Sequence, residues 1–258
     1  MGEQAMFPAG AVLIFGATGG IGAAVAREFA AAGSDVAIAW RSKEEEAKAL
    51  AAEIEGTGRK ASLHRCDVTD EAALAAAIAD AVVAHGRVHT LLWGAGPLVA
   101  QVELAETTTE QWRRAIDVEV HGFFNAARGV IPHMRAAGGG SLVHLGSAGD
   151  LRWPDRDGLS VAPKASNEAL VKGFAREEGK HGIRANSILV GVIEAGMFLE
   201  LSNQGVFDEA WTKEVHKNLA LKRWGQPEEI GHAAVFLASS KAAYVTGQRI
   251  AVAGGYGV

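Results

Sequence analysis

Short apolar runs alternate along the chain with longer, Ala-rich amphipathic stretches. The first run covers residues 10–15 and ends in Gly16-Ala17-Thr18-Gly19-Gly20-Ile21-Gly22; a helical stretch, 21–32, follows and closes at Gly33. Further strand-like runs fall at 35–40, 60–66, 90–93, 141–145, 184–190 and 249–252. Helices are predicted between them: a charged one after Trp40 stopped by Gly56 and Gly58, then 70–85, a long one over 109–137 bent near Pro132, 164–181 and 227–237. Strand–helix–strand alternation with short turns implies parallel strands joined by right-handed crossovers. Helices on both faces explain why the strands are apolar throughout. The predicted fold is therefore α/β: one Rossmann-type, doubly wound parallel sheet of about seven strands, in a single domain over 1–258. Only 191–225 breaks the alternation. Its apolar residues, Met197, Phe198 and Trp211 among them, predict either a substrate lid or a loop packed on its own domain.

Composition narrows the class. Hydrophobic residues make up 48% of the 258, ample for a core, and a net charge of −5 with scattered Lys and Arg gives no footprint for nucleic acid. Cys66 is the single cysteine, so no internal disulfide can form; a small buried apolar role fits it better than a nucleophile. The start, MGEQAMFPAG, has no signal-peptide pattern, and no apolar run approaches the ~18 residues of a membrane span. A cytoplasmic protein is expected. His121, His133 and His144 lack metal-ligand spacing, and no metal is expected.

The glycine run sits where a strand turns into a helix, the context a dinucleotide-binding loop requires. Glycines allow the tight turn, the approach of backbone to pyrophosphate and the close packing of helix on sheet, while the helix N-terminus offers N–H groups to phosphate. At the end of the second strand an Asp or Glu would bind a ribose 2′-OH. Here the chain reads Trp40-Arg41-Ser42-Lys43. Arg41 can fork onto a 2′-phosphate, with Ser42 as a further donor and Lys43 as a point charge, which favours NADPH/NADP+ over NADH.

These motifs resemble the short-chain dehydrogenase/reductase family over nearly the whole chain. The loop with Gly16, Thr18, Gly20, Ile21 and Gly22 is similar to the family's TGxxxGxG, with Phe15 in place of Thr. Asp67-Val68 resembles its adenine-binding pair, and Trp93-Gly94-Ala95-Gly96 stands where the family has Asn-Asn-Ala-Gly. The segment 186–197, with Gly191 and Ile193, resembles the nicotinamide clamp, with Val190 for the usual Pro and Ala195 for the usual Thr. The C-terminal third is similar to bacterial 3-oxoacyl-carrier-protein reductases. By this resemblance Ser147 orients a carbonyl and Lys164 holds the ribose. The tyrosine between them is missing: thirteen residues after Ser147 stands Ser160, and the helix asparagine is replaced by Glu119. Tyr244 and Tyr256, both in the tail, are poor substitutes.

A serine hydroxyl is too weak an acid to be tuned as a phenol is. The resemblance implies an NADPH-dependent ketoreductase acting on a cyclic or aromatic small-molecule carbonyl. Its proton would come from the substrate, from a water held by Ser147, Ser160 and Lys164, or from a charged neighbour such as Asp150 or Arg152. Trp153, Phe198 and Trp211 would suit a flat substrate, or are plain packing. Glu119 is expected either to pair with Lys164 and favour its cationic form or to point elsewhere. The alternative is a catalytically silent, NADP-binding subunit or regulator. The Ala-rich late helices and apolar last strand resemble surfaces through which relatives form two-fold symmetric assemblies, and the resemblance implies a homotetramer or homodimer.

Overall fold

The computed structural model describes residues 5–258; the first four residues of the N-terminal reading lie outside the described residues. Seven strands form one parallel sheet: β1 (Ala11–Phe15), β2 (Asp35–Trp40), β3 (Ala61–Arg65), β4 (Val88–Trp93), β5 (Gly140–Ser147), β6 (Ile183–Val190) and β7 (Arg249–Val252), in the order β3-β2-β1-β4-β5-β6-β7. The order reverses between β1 and β4, so the crevice beyond their carboxyl ends is where such a sheet accepts a ligand.

Side chains alternate across the pleat. Val12 and Ile14 enter one core layer with helices α1 (Gly20–Ala31), α2 (Glu44–Gly56) and α9 (Pro227–Ala238). Leu13 and Phe15 enter the other, with α3 (Glu71–His85), α5 (Gly122–Ala136) and α6 (Gly158–Glu178). Both faces are covered, as the continuous apolar strands require.

Three features differ from the sequence reading. The long helix is α4 (Thr109–Ile116) joined to α5, and the irregularity falls not at Pro132, which lies inside α5, but at a π-helical turn over Asp117–His121. That turn carries Glu119, and such wide turns often mark functional positions. Helix α6 begins at Gly158 rather than Lys164, which brings Ser160 onto the helix. Residues 191–225 contain two short helices, α7 (Met197–Asn203) and α8 (Glu209–Lys217). Among the described residues no helix is long and apolar enough to cross a membrane, and no group of side chains could hold a metal.

Candidate active site

A cleft of about 350 Å³ opens at the carboxyl edge of the sheet, at the reversal point. Gly16, Thr18, Arg41, Ser42, Val68 and the run Gly94-Ala95-Gly96 all line it. Gly16 has φ +86°, and a Cβ there would stand 2.5 Å from the Gly94 carbonyl oxygen. Gly22, one turn into α1, lies so close to the Gly16 carbonyl that no side chain fits. The N-terminus of α1, where Gly20 and Ile21 begin the helix, has no side-chain cap and no acidic residue in its first turn. Its N–H groups are therefore left for an anion.

The cations gather at the far end, where β2 stops. Arg114, which the sequence did not single out, joins Arg41 and Lys43 in the cleft wall. Asp67 stands between Cys66 and Val68, which both line the cleft; Thr69 donates to its Oδ1 from both the backbone N–H (3.0 Å) and the hydroxyl (2.7 Å). These bonds, with smaller contributions from Arg41 and Arg114, hold the Asp67 carboxyl below the usual carboxylate range. Gly191 and Ile193 are not among the walls. Ile193 is buried and bridges to Gly225, while the adjoining Ala195 and Gly196 abut Gly20. Cys66 also lines the cleft, but burial pushes its thiol up to about 12. A thiolate-seeking reagent at pH 8 is expected to leave the native protein unmodified and to react on unfolding; rapid native modification would contradict this.

Phe15 and Trp93, the two residues that break the glycine-loop and strand-end motifs, are neighbours in register across β1 and β4, with ring centroids 5.4 Å apart. An aromatic pair occupies the core there, and the two changes form one packing event. The same row continues through His144 on β5 to Ser187 on β6.

Lys164 and Glu119 meet. The lysine Nζ donates to Glu119 Oε1, the carboxylate side chain is 2% exposed and the lysine 17%. Gly96 leaves room for the pair: a Cβ there would lie 2.5 Å from Glu119 Oε1 and 3.6 Å from Lys164 Nζ. Of the two expectations for Glu119, pairing is the one realised.

Behind the pair runs a buried polar network that the sequence did not reveal. Asn167 Nδ2 donates to the Glu119 carbonyl (2.9 Å) and lies 3.3 Å from His144 Nε2. That contact makes Nε2 the acceptor and assigns the ring proton to Nδ1, which faces Glu168 Oε1 at 3.2 Å. Ser187 Oγ donates to the same oxygen at 2.6 Å. The network ties α6 to β5 and β6, the elements that carry Lys164 and Ser147.

Ser147 ends β5, and its Oγ accepts from the Gly149 N–H at 3.1 Å, capping the single turn Ala148–Asp150 that follows. Ser160 is half-buried on α6, four residues before Lys164. Asp150 pairs with Arg249 of β7 rather than with Arg152. Phe198, Phe207, Trp211 and Trp224 stack on one another, Phe207 and Trp211 at 3.9 Å, so they pack the 191–225 excursion internally; Trp153 is half-exposed.

Residues 16–257 match the family model described as enoyl-(acyl carrier protein) reductase. The chain belongs to the short-chain dehydrogenase/reductases. It is 34% identical to an L-rhamnose 1-dehydrogenase (NAD(P)(+)) of a Sphingomonas strain, over 95% of this chain and 94% of that protein. It is 33% identical to a cyclohexanol dehydrogenase of an Acinetobacter strain, over 95% and 93%. Among solved structures, a blue fluorescent protein from a metagenomic library in complex with NADPH superposes with a TM-score of 0.87 at 31% identity, covering 97% of this chain and 99% of that one. As a short-chain dehydrogenase/reductase the chain is an oxidoreductase that uses a nicotinamide cofactor. The glycine cradle that a Cβ would fill, the uncapped α1 terminus and the cations at the end of β2 fit such a dinucleotide.

Proposed function

We propose that the protein is an NADPH-dependent ketoreductase acting on a cyclic or aromatic small-molecule carbonyl without a tyrosine acid at the usual place. The observation that carries the reading is the placement of the Lys164–Glu119 pair against Gly96, a residue that lines the dinucleotide cleft. A bound reduced nicotinamide supplies hydride. The chain's own residues bind and orient: α1 and the glycine loop take the pyrophosphate, Ser147 positions the carbonyl, and Lys164 holds the ribose. Arg41 and Ser42 take the 2′-phosphate, Asp67 and Val68 the adenine, and Gly191 and Ile193 the nicotinamide side. Residues 191–225 are proposed to border the substrate, and the whole chain to act as one domain in the cytoplasm.

The absence of a carboxylate at Arg41-Ser42-Lys43 supports the choice of NADPH. Arg41→Ala is expected to weaken NADPH binding by about ten- to a hundredfold, as loss of one charge-assisted pair does, and to leave NADH nearly unchanged. Equal losses in a fluorescence titration would refute the 2′-phosphate role. We also propose a homotetramer or homodimer, assembled through α9, which exposes Phe236, and the edge strand β7. Light scattering that shows a monomer at micromolar concentration would exclude it.

A second reading, a silent cofactor-binding subunit, is favoured by Ser160 and by a Lys164 already engaged by Glu119. The deciding experiment is anaerobic NADPH oxidation at 340 nm against a panel of ketones, phenolic polycyclic ones included, with the Ser160→Tyr and Ser160→Tyr/Glu119→Asn variants alongside. Turnover by the native protein supports the reductase. NADPH binding without turnover, with activity gained only in the variants, supports the silent subunit.

A further inference from the structure

If the chain reduces a carbonyl, its oxygen needs a proton, and Asp150, the acid that follows Ser147, is engaged by Arg249. We propose that Asp157 is the general acid of this active site, taking the part that Ser160 cannot. The inference rests on the reductase reading and adds a residue to it.

Asp157 immediately precedes α6, three residues before Ser160 and seven before Lys164, so the three fall along one stripe of the helix. Its carbonyl accepts the N–H groups of Ser160 and Val161 at 3.0 Å each, which fixes it to the first turn. Its side chain makes no cap bond, so it is not spent on the helix end. Oδ1 accepts from the Gln101 side-chain amide at 3.0 Å. Gln101 lies on the segment that continues from Gly94-Ala95-Gly96 out of the cleft, so the carboxyl is held between that segment and α6. Asp157 is half-buried; two residues on, Leu159 is buried with Val99, which lies two residues before Gln101, and Met197 of α7 packs against that cluster.

The charges around it are mutually consistent. The partner of Asp157 is a neutral amide, and Lys164, the cation whose field opposes protonation of Asp157, is already paired with the buried Glu119. Burial raises the Asp157 carboxyl above the ordinary aspartate value, outweighing the Gln101 bond and the field of Lys164. Tyr256, in the C-terminal tail, is itself held high by burial and by the charges of Asp157 and Asp155, against the opposing field of Arg152. A phenol needs an uncompensated ammonium to bring its proton within reach of neutrality; a carboxyl needs the reverse, burial and a silenced cation. The replacements at Ser160 and Glu119 remove the first arrangement and leave the second.

In the step, the carbonyl carbon accepts a hydride from the reduced nicotinamide while its oxygen takes the proton from Asp157. The ketone becomes an alcohol, the cofactor leaves oxidised, and the Asp157 carboxylate regains its proton from solvent.

The test compares the native protein with Asp157→Asn, Asp157→Glu and Tyr256→Phe. Asparagine keeps an acceptor for Gln101 and removes no helix cap, so folding is preserved. In the cofactor-free protein, ¹³C carboxyl NMR of the native chain against Asp157→Asn should show one carboxyl titrating above the usual aspartate range. With a ketone that the native protein reduces, Asp157→Asn should lower kcat by about 10²–10⁴ with NADPH affinity unchanged. It should also abolish the fall in kcat at high pH; Asp157→Glu should restore part of the rate and Tyr256→Phe retain it. An unshifted carboxyl, an unchanged rate in Asp157→Asn, or a loss confined to Tyr256→Phe overturns the assignment while leaving the reductase reading intact. A native protein that turns over no ketone overturns the reductase reading itself, and this assignment with it.

Discussion

Lys164→Met is expected to lower the unfolding free energy by about 3–5 kcal/mol, the cost of stripping the partner from a buried charge. Glu119 is almost fully enclosed, and its second oxygen, Oε2, has no hydrogen-bond partner. Its stabilisation therefore depends on the ammonium at Oε1. The pair is asymmetric, because the lysine retains some contact with water while the carboxylate has almost none. Removing the lysine should cost more than neutralising the acid. Glu119→Gln alone is expected to be the milder change, and the Lys164→Met/Glu119→Gln double variant should recover most of the loss. Urea unfolding followed by circular dichroism measures all three. A Lys164→Met variant within about 1 kcal/mol of the native protein, with no recovery in the double variant, would show that the pair does not bear on stability.

Glu168→Ala is expected to cost about 2–4 kcal/mol. Truncation removes the acceptor shared by two buried donors, His144 Nδ1–H and Ser187 Oγ–H, leaves them only the longer contacts with each other (3.1 Å) and with the His144 carbonyl (3.3 Å), and opens a void between α6 and the sheet. Gly146 shows how tightly the acid is seated, since a Cβ at that position would collide with Glu168 Oε1. Glu168→Gln retains an acceptor for both donors and should keep most of the stability. Equal destabilisation by Gln and Ala would rule out the hydrogen-bond account. Because the network also ties Lys164's helix to β5 and β6, Glu168→Ala should displace the site as well as loosen the fold, which a weakened NADPH affinity would register.

Much of this protein is set locally and was legible in its sequence. The alternation of apolar runs and amphipathic stretches follows from the two periodicities of strand and helix, so it gave the parallel, doubly wound sheet and nearly every element. The cofactor cleft was legible for the same reason: the glycine turn, the uncapped α1 terminus and the basic end of β2 are each built from consecutive residues. What lay beyond the sequence depends on residues distant along the chain. Pro132 looked like the weak point of the long helix, yet the helix widens at Asp117–His121, where Glu119 must reach a lysine 45 positions away. Phe15 and Trp93 read as two separate departures until β1 and β4 paired them. His144, Asn167, Glu168 and Ser187 carry no pattern at all, because three different elements contribute them and only burial makes their hydrogen bonds obligatory. Asp157 belongs to no local motif; the α6 helix, starting six residues earlier than its pattern predicts, puts it on the stripe of Ser160 and Lys164. Sequence determined the fold and the cofactor cradle because those rest on periodicity and local turns. Only the tertiary structure decided the electrostatics of the reacting end, because charge interacts through space and is governed by what else is buried beside it.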